Sequence, residues 1–164
     1  MANLKTPFAQ AKTNDPYGGT WSSGGNLNTA RGENFGNGAG TQTAAAVAGG
    51  YSNTNTNFHE QYDGSSWTET TEINTARYGT WADGTQPAFW MAGGFSTTMV
   101  NNTETWNGSS WTEVNEINTA RHNMSGSGTT PAALIFGGAV GASNTDKTET
   151  WNGSAWSEVN DLNT

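Results

Sequence analysis

Cysteine is absent from this chain, so neither a disulfide framework nor a thiolate metal site is open to it. Cations are scarce: six Lys and Arg stand against 14 Asp and Glu, for a net charge of −8. Three of the six are arginines that recur at one place in a repeat, which leaves Lys5, Lys12 and Lys147, too few and too scattered to track a phosphate backbone. Nucleic acid is therefore not an expected partner. No apolar run approaches the roughly 18 residues of a membrane helix, and Met1 to Gln10 lacks the apolar centre of a secretory leader, so neither a membrane span nor a leader is expected. Charged residues make up only 12% and hydrophobic ones 32%, a balance that alone would fit a polar disordered tract.

Eight tryptophans argue for a folded chain, because each buries a large area and most stand in phase with a repeat. Asn-Thr-Ala-Arg occurs three times, ending at Arg31, Arg77 and Arg121, and Asn163-Thr164 begins a fourth. Successive asparagines lie 46, 44 and 45 residues apart, a period that belongs to propeller blades. A glycine pair follows each arginine, at Gly49-Gly50, Gly93-Gly94 and Gly137-Gly138. Then come two aromatics five residues apart: Tyr62 and Trp67, Trp106 and Trp111, Trp151 and Trp156. The first copy has two extra residues between arginine and glycine pair, and the third has one between glycine pair and aromatic. Such changes of length mark loops.

Before each glycine pair runs an unbroken apolar stretch, 44–48, 88–92 and 132–136, too short for a helix and fit for a strand buried on both faces. Turn residues precede it, so another strand is expected upstream, starting just after the arginine. Asp63-Gly64, Asn107-Gly108 and Asn152-Gly153 mark a second hairpin, and Trp111-Thr112-Glu113-Val114 alternates as a half-wet strand does. The expected fold is all-β: three four-stranded antiparallel propeller blades, at 29–75, 76–119 and 120–164. Residues 1–20 read as a polar arm, and 21–28 as the remnant last strand of a preceding blade.

An early arginine, an apolar strand closed by Gly-Gly, an aromatic, a tight turn and a second Trp together resemble the kelch repeat. The resemblance covers residues 28–164, with Tyr62 in place of the first Trp of its copy. It is nearest in character to Asn/Thr-rich kelch-like proteins of bacteriophages and aquatic bacteria. What it implies is a non-enzymatic structural or adhesive module, with a virion or extracellular setting and the cytoplasm left open. Three blades fall short of the four to eight of a closed propeller, so closure by oligomerisation is expected, most simply six blades from two chains, with other particle components as the rival. A chain that stops at Asn163-Thr164 would then take its next Ala-Arg from a neighbour. One last strand is redundant, since both 21–27 and 156–162 have that pattern.

Each copy carries a glutamate two residues before its first aromatic, Glu60, Glu104 and Glu149, so Arg31, Arg77 and Arg121 are expected to pair with them, the arginine stems packing on aromatic faces. An anion-binding array of arginines is the rival use. Trp67, Trp111 and Trp156 recur in phase and are expected to pack blades. Trp81 and Trp90 do not recur as tryptophan, and Phe35 and Ser125 stand opposite Trp81. With Tyr51, Phe95 and Met99 those two are the candidates for an exposed contact, an interface or a ligand site. A second reading is a lectin-like module holding a surface glycan in loops 51–58, 95–103 and 139–147; a third is an enzyme. His59 and His122 occupy different phases and are expected as solvent-facing loop residues rather than ligands. Glu33, Glu72, Asp83 and Asp146 break the repeat without a shared local context, so no catalytic residue, metal or cofactor is assigned.

Overall fold

The computed structural model describes residues 22–32 and 37–163. The arm at 1–20, Trp21, Glu33 and Phe35 lie outside the described residues. Those described form an all-β structure without helices. The first sheet holds β1 (Gly38–Thr41), β2 (Ala44–Ala48), β3 (His59–Tyr62) and β4 (Trp67–Glu69). The second holds β5 (Trp81–Thr85), β6 (Ala88–Ala92), β7 (Thr103–Trp106) and β8 (Trp111–Val114). In the third, β9 (Ser125–Thr129) and β10 (Ala132–Phe136) are followed by a small hairpin, β11 (Ala139–Val140) and β12 (Ser143–Asn144), and then by β13 (Thr148–Trp151) and β14 (Trp156–Val159). Strands neighbour one another in chain order within each four-stranded antiparallel sheet, as expected of blades. The first strands lie side by side, β1 against β5 and β5 against β9, so the sheets fan out from that edge. The described residues do not close into a ring, and they contain no helix long and apolar enough to cross a membrane.

Turn chemistry explains the second hairpin of each sheet. Asp63 Oδ1 accepts from the Ser65 and Ser66 N–H groups, both at 2.8 Å, and Asn107 and Asn152 repeat the arrangement in the other sheets. A short side chain that bonds the backbone two and three residues on closes the turn from within. The following glycine, Gly64, Gly108 or Gly153, takes φ of 93° to 96°. The two aromatics then face each other across the strands: Tyr62 opposite Trp67, Trp106 opposite Trp111, Trp151 opposite Trp156.

The glycine pair has a steric reason. Gly93 sits at φ 60°, and a Cβ there would lie 2.6 Å from the Arg121 carbonyl oxygen. Its neighbour Gly94 donates its N–H to that carbonyl at 2.9 Å, as Gly50 does to Arg77. Backbone of one sheet thus touches the entry segment of the next, at a distance only glycine permits.

Two expectations need correction. The first strands begin later than the arginine, at Gly38, Trp81 and Ser125. The residue after each arginine instead bridges the residue after the glycine pair, Gly32 with Tyr51, Tyr78 with Phe95 and His122 with Ala139, before the chain turns into its strand. Residues 22–28 form no strand. Rich in Ser and Gly, they have little to pack in a sheet, and they lie as a strap along the first one. Trp67 Nε1 donates to the Gly25 carbonyl at 3.1 Å, and Asn28 Nδ2 to the Trp67 carbonyl at 3.0 Å.

Apolar burial falls in two clusters, each shared by two sheets. Ala46 and Ala48 of the first sheet meet Phe89, Met91, Trp106 and Trp111 of the second, with Ile73 from the connection. Trp90 and Ala92 of the second meet Ala133, Ile135, Trp151 and Trp156 of the third, with Ile117. Of the three apolar stretches only β6 is therefore buried on both faces; β2 and β10 are the outer sheets' strands and bury one face each, because no described sheet lies beyond them.

Candidate functional site

The repeated arginines and glutamates are brought together within each sheet. Arg31 pairs with Glu60, Arg77 with Glu104 and Arg121 with Glu149, all six side chains at most 1% exposed. The arginine enters before the first strand of its sheet, and the glutamate lies on the third. The asparagine of the motif completes the clamp: Asn74 N–H and Nδ2 donate to Glu104 Oε2 at 2.8 and 2.7 Å, and Asn118 does the same for Glu149. Arg77 Nη1 also bonds the Thr75 carbonyl at 3.1 Å, so the motif folds over its own cation. Burial alone would raise the Glu60 carboxyl. The Asn28 N–H and the Arg31 guanidinium outweigh it and hold the group below its ordinary value. Each ion pair thus has its charges met inside one sheet.

His59 is 0% exposed on β3, which overturns its expected place in a solvent-facing loop. Its ring lies 4.6 Å from Trp106, 5.3 Å from Trp111 and 5.5 Å from Phe89, all in the second sheet. Nδ1 is 3.1 Å from the Thr71 carbonyl, 2.8 Å from Thr70 Oγ1 and 3.3 Å from Trp111 Nε1. An isolated histidine carries no apolar period, so only the packing of two sheets reveals it. Burial lowers its imidazole to about 4, with the Thr71 carbonyl opposing and the Arg31 charge adding.

A pH test follows. In the unfolded chain this imidazole takes its proton near 6.5, in the fold only near 4, so between those values the unfolded state holds more protons. The stabilisation is complete above about 6.5 and is lost as pH falls toward 4. Urea melts across that window should show stability falling with pH. In His59→Thr, which installs the residue found at the same phase in the second and third sheets, the slope should be much reduced. An unchanged slope would place the titration elsewhere.

The exposed-contact candidates divide. Trp90 is 1% exposed, packed 5.5 Å from Trp156, and is thus part of the junction between the second and third sheets rather than an exposed contact. Trp81 is half-buried beside the same cluster. Tyr51, Phe95 and Met99 do come together with one rim, on small loops that follow the glycine pairs: Tyr51 bridges Asn55, and Phe95 bridges Met99. Neighbouring loops are joined, Asn55 Nδ2 to the Ser96 carbonyl at 2.9 Å and the Gly141 N–H to Met99 Sδ at 3.0 Å.

Along this rim runs a row of rings: Tyr51 to Tyr78 at 5.5 Å, Tyr78 to Phe95 at 5.5 Å, Phe95 to His122 at 6.1 Å. Tyr51 is 42% exposed, and the others are half-buried. Tyr78 and His122 were not anticipated as members. The signal for them was their shared place directly after a repeat arginine. Trp111 and Trp156 lie in the shared clusters, and Trp67 is half-buried under the strap.

The acids that break the repeat are dispersed. Glu72 accepts from Asn57 Nδ2 at 2.6 Å, and Asp83 accepts from the Gly84 and Gly128 N–H groups at 2.7 and 3.0 Å. Asp146 stays exposed and lends its carbonyl to Leu162 N–H at 2.9 Å. Among the described residues no three of His, Cys, Asp and Glu gather at metal-binding range. The arrangement offers two chemistries, a closed ionic frame inside each sheet and an aromatic rim outside. No protein-family model matches this chain, and a search of curated proteins finds no significant match.

Proposed function

We propose that this chain is a non-enzymatic, kelch-like propeller module whose blades close by association, and that it acts as a structural or adhesive component of a particle such as a phage virion. What carries the reading is the use of the repeated charge: in every sheet the arginine and glutamate hold each other. Residues that recur in each blade then build blades, and contact with the outside falls to the rim where the loops differ. The virion setting comes from the resemblance of the repeat alone. A lectin-like use is the second reading, favoured by the Tyr51, Tyr78, Phe95 and His122 row, since ring faces stack on the apolar faces of sugars.

One experiment separates the readings. The intact chain and Tyr51→Ala are applied to a glycan array, and the same preparations are incubated with a panel of glycosides and esters. Glycan signals lost in Tyr51→Ala establish the lectin-like use. A silent array leaves the assembly role as the reading. Turnover above buffer by the intact chain would overturn the non-enzymatic proposal.

A further inference from the structure

The two outer faces of the sheet stack are built like the faces that the inner junctions bury. On one face of β2, β6 and β10 stand Ala46 and Ala48, Trp90 and Ala92, Leu134 and Phe136. The first two pairs are at most 2% exposed, while the third is only half-buried. On the opposite face stand Ala45 and Val47, Phe89 and Met91, Ala133 and Ile135. Here the last two pairs are at most 7% exposed, and it is the first that is half-buried. Inside the chain large meets small: Ala46 and Ala48 face Phe89 and Met91, and Trp90 faces the side of Ala133. The open face of the third sheet is large, Leu134 and Phe136. That of the first is small, Ala45 and Val47.

A polar group points to the same partner. At each inner junction the residue before the repeat glutamate meets the indole N–H of the next sheet's second tryptophan: Trp111 Nε1 lies 3.3 Å from His59 Nδ1, and Trp156 Nε1 donates to Thr103 Oγ1 at 3.0 Å. The residue at that phase in the third sheet is Thr148, 7% exposed, and its Oγ1 has no partner among the described residues. A buried hydroxyl without a partner is costly and needs a reason. Val159 repeats the contrast at 43% exposure, where Val114 of the second sheet packs against the shared cluster.

We infer that a second copy of this chain docks head to tail, its first sheet on the outer face of the third, with Trp67 of the second copy sharing its indole N–H between its own Gly25 carbonyl and Thr148, as Trp111 shares its own between the Thr71 carbonyl and His59. Two copies then close one ring of six sheets, each open face covered once. The proposal rests on the reading of these sheets as blades. The slot that Ile73 and Ile117 fill inside the chain is claimed at the new junction by Leu162 of one copy and Leu27 of the other. The strap of the incoming copy keeps it, because Asn28 already bonds Glu60 and Trp67, and Leu162, 45% exposed, yields.

Light scattering on the intact chain should give twice 17.3 kDa. Phe136→Glu and Val47→Glu, each checked for folding by near-UV circular dichroism, should each be monomeric alone. Mixed, they should pair, because each retains the face the other has lost. Thr148→Val should leave the melting of the monomer unchanged and raise the dimer dissociation constant by about one to two orders of magnitude, the worth of two hydrogen bonds, one at each of the two junctions. This variant keeps the test alive if a glutamate variant fails to fold. A monomer at all concentrations overturns the inference, as does dimerisation of Val47→Glu alone, which would mean like faces pairing. Either result leaves the glycan and turnover assays to judge the function by themselves.

Discussion

Arg77→Met is expected to lower the stability of this chain by about 3–5 kcal/mol, the cost of leaving a buried carboxylate without its cation. Glu104 is 1% exposed, and among the described residues its only cationic partner is Arg77. Asn74 still offers two N–H groups to Oε2, but these neutral donors do not replace a guanidinium at Oε1. The loss should reach beyond the pair, because Arg77 lends its carbonyl to Gly50 of the preceding sheet. The double variant Arg77→Met/Glu104→Leu should recover much of the loss. Among the described residues Arg77 Nε and Nη2 are buried without an acceptor, so an apolar pair removes those unmet donors together with the unpaired charge. Urea melts of the two single variants and the double one give the coupling directly. If Arg77→Met melts like the parent, the pair is not what holds the entry segment to its sheet.

The ion pair recurs three times because it solves a problem every sheet shares. The chain must leave one sheet, cross to the innermost strand of the next and arrive in register. Asn and Arg of the motif seize the same glutamate on the third strand, and so anchor the crossing at both of its ends. The glycine pair of the preceding sheet then closes on the arginine carbonyl. Motif, glutamate and glycine pair therefore form one joint, and the rim loops beyond it are free to differ in length.

Much of this was legible in the chain itself. Turns, glycine pairs and facing aromatics follow from backbone rules that act within a few residues, so the second hairpin of each sheet could be placed from Asp-Gly or Asn-Gly, and the first from the turn residues ahead of its apolar run. The Arg and Glu partnership could be read because both recur in phase. Burial between sheets could not, since it depends on which of two alternating faces a neighbour covers. Trp90 broke the repeat and was for that reason expected outside, whereas it fills a junction whose other side is small. His59 escaped for a related cause: its partners Trp106 and Trp111 are more than 40 residues away in the next sheet. The strap at 22–28 matched the pattern of a last strand, yet it pairs with no described strand and lies along a neighbouring sheet.

Trp90→Ala is expected to cost about 3–5 kcal/mol, the range for emptying a large buried aromatic site that relaxes only in part. The indole lies between the second and third sheets against Trp156, and its Nε1 has no acceptor among the described residues, so the loss is one of packing. The first junction shows how the void can be refilled. There the residue in phase with Trp90 is Ala46, and the bulk comes from the opposite side, from Phe89, whose counterpart in the third sheet is Ala133. Ala133→Phe in the parent overfills the junction and should destabilise by about 1–3 kcal/mol. Trp90→Ala/Ala133→Phe moves the large ring to the side it occupies in the first junction, so the double variant should be more stable than Trp90→Ala by at least 1 kcal/mol or so. Amide exchange adds a spatial check. With Trp90 truncated, the amides of β9, β10, β13 and β14 should lose protection before those of β1 to β4, because among the described residues the third sheet packs on the second and not on the first. Uniform loss across all three sheets would mean that they unfold as one unit and that the junctions are not separable.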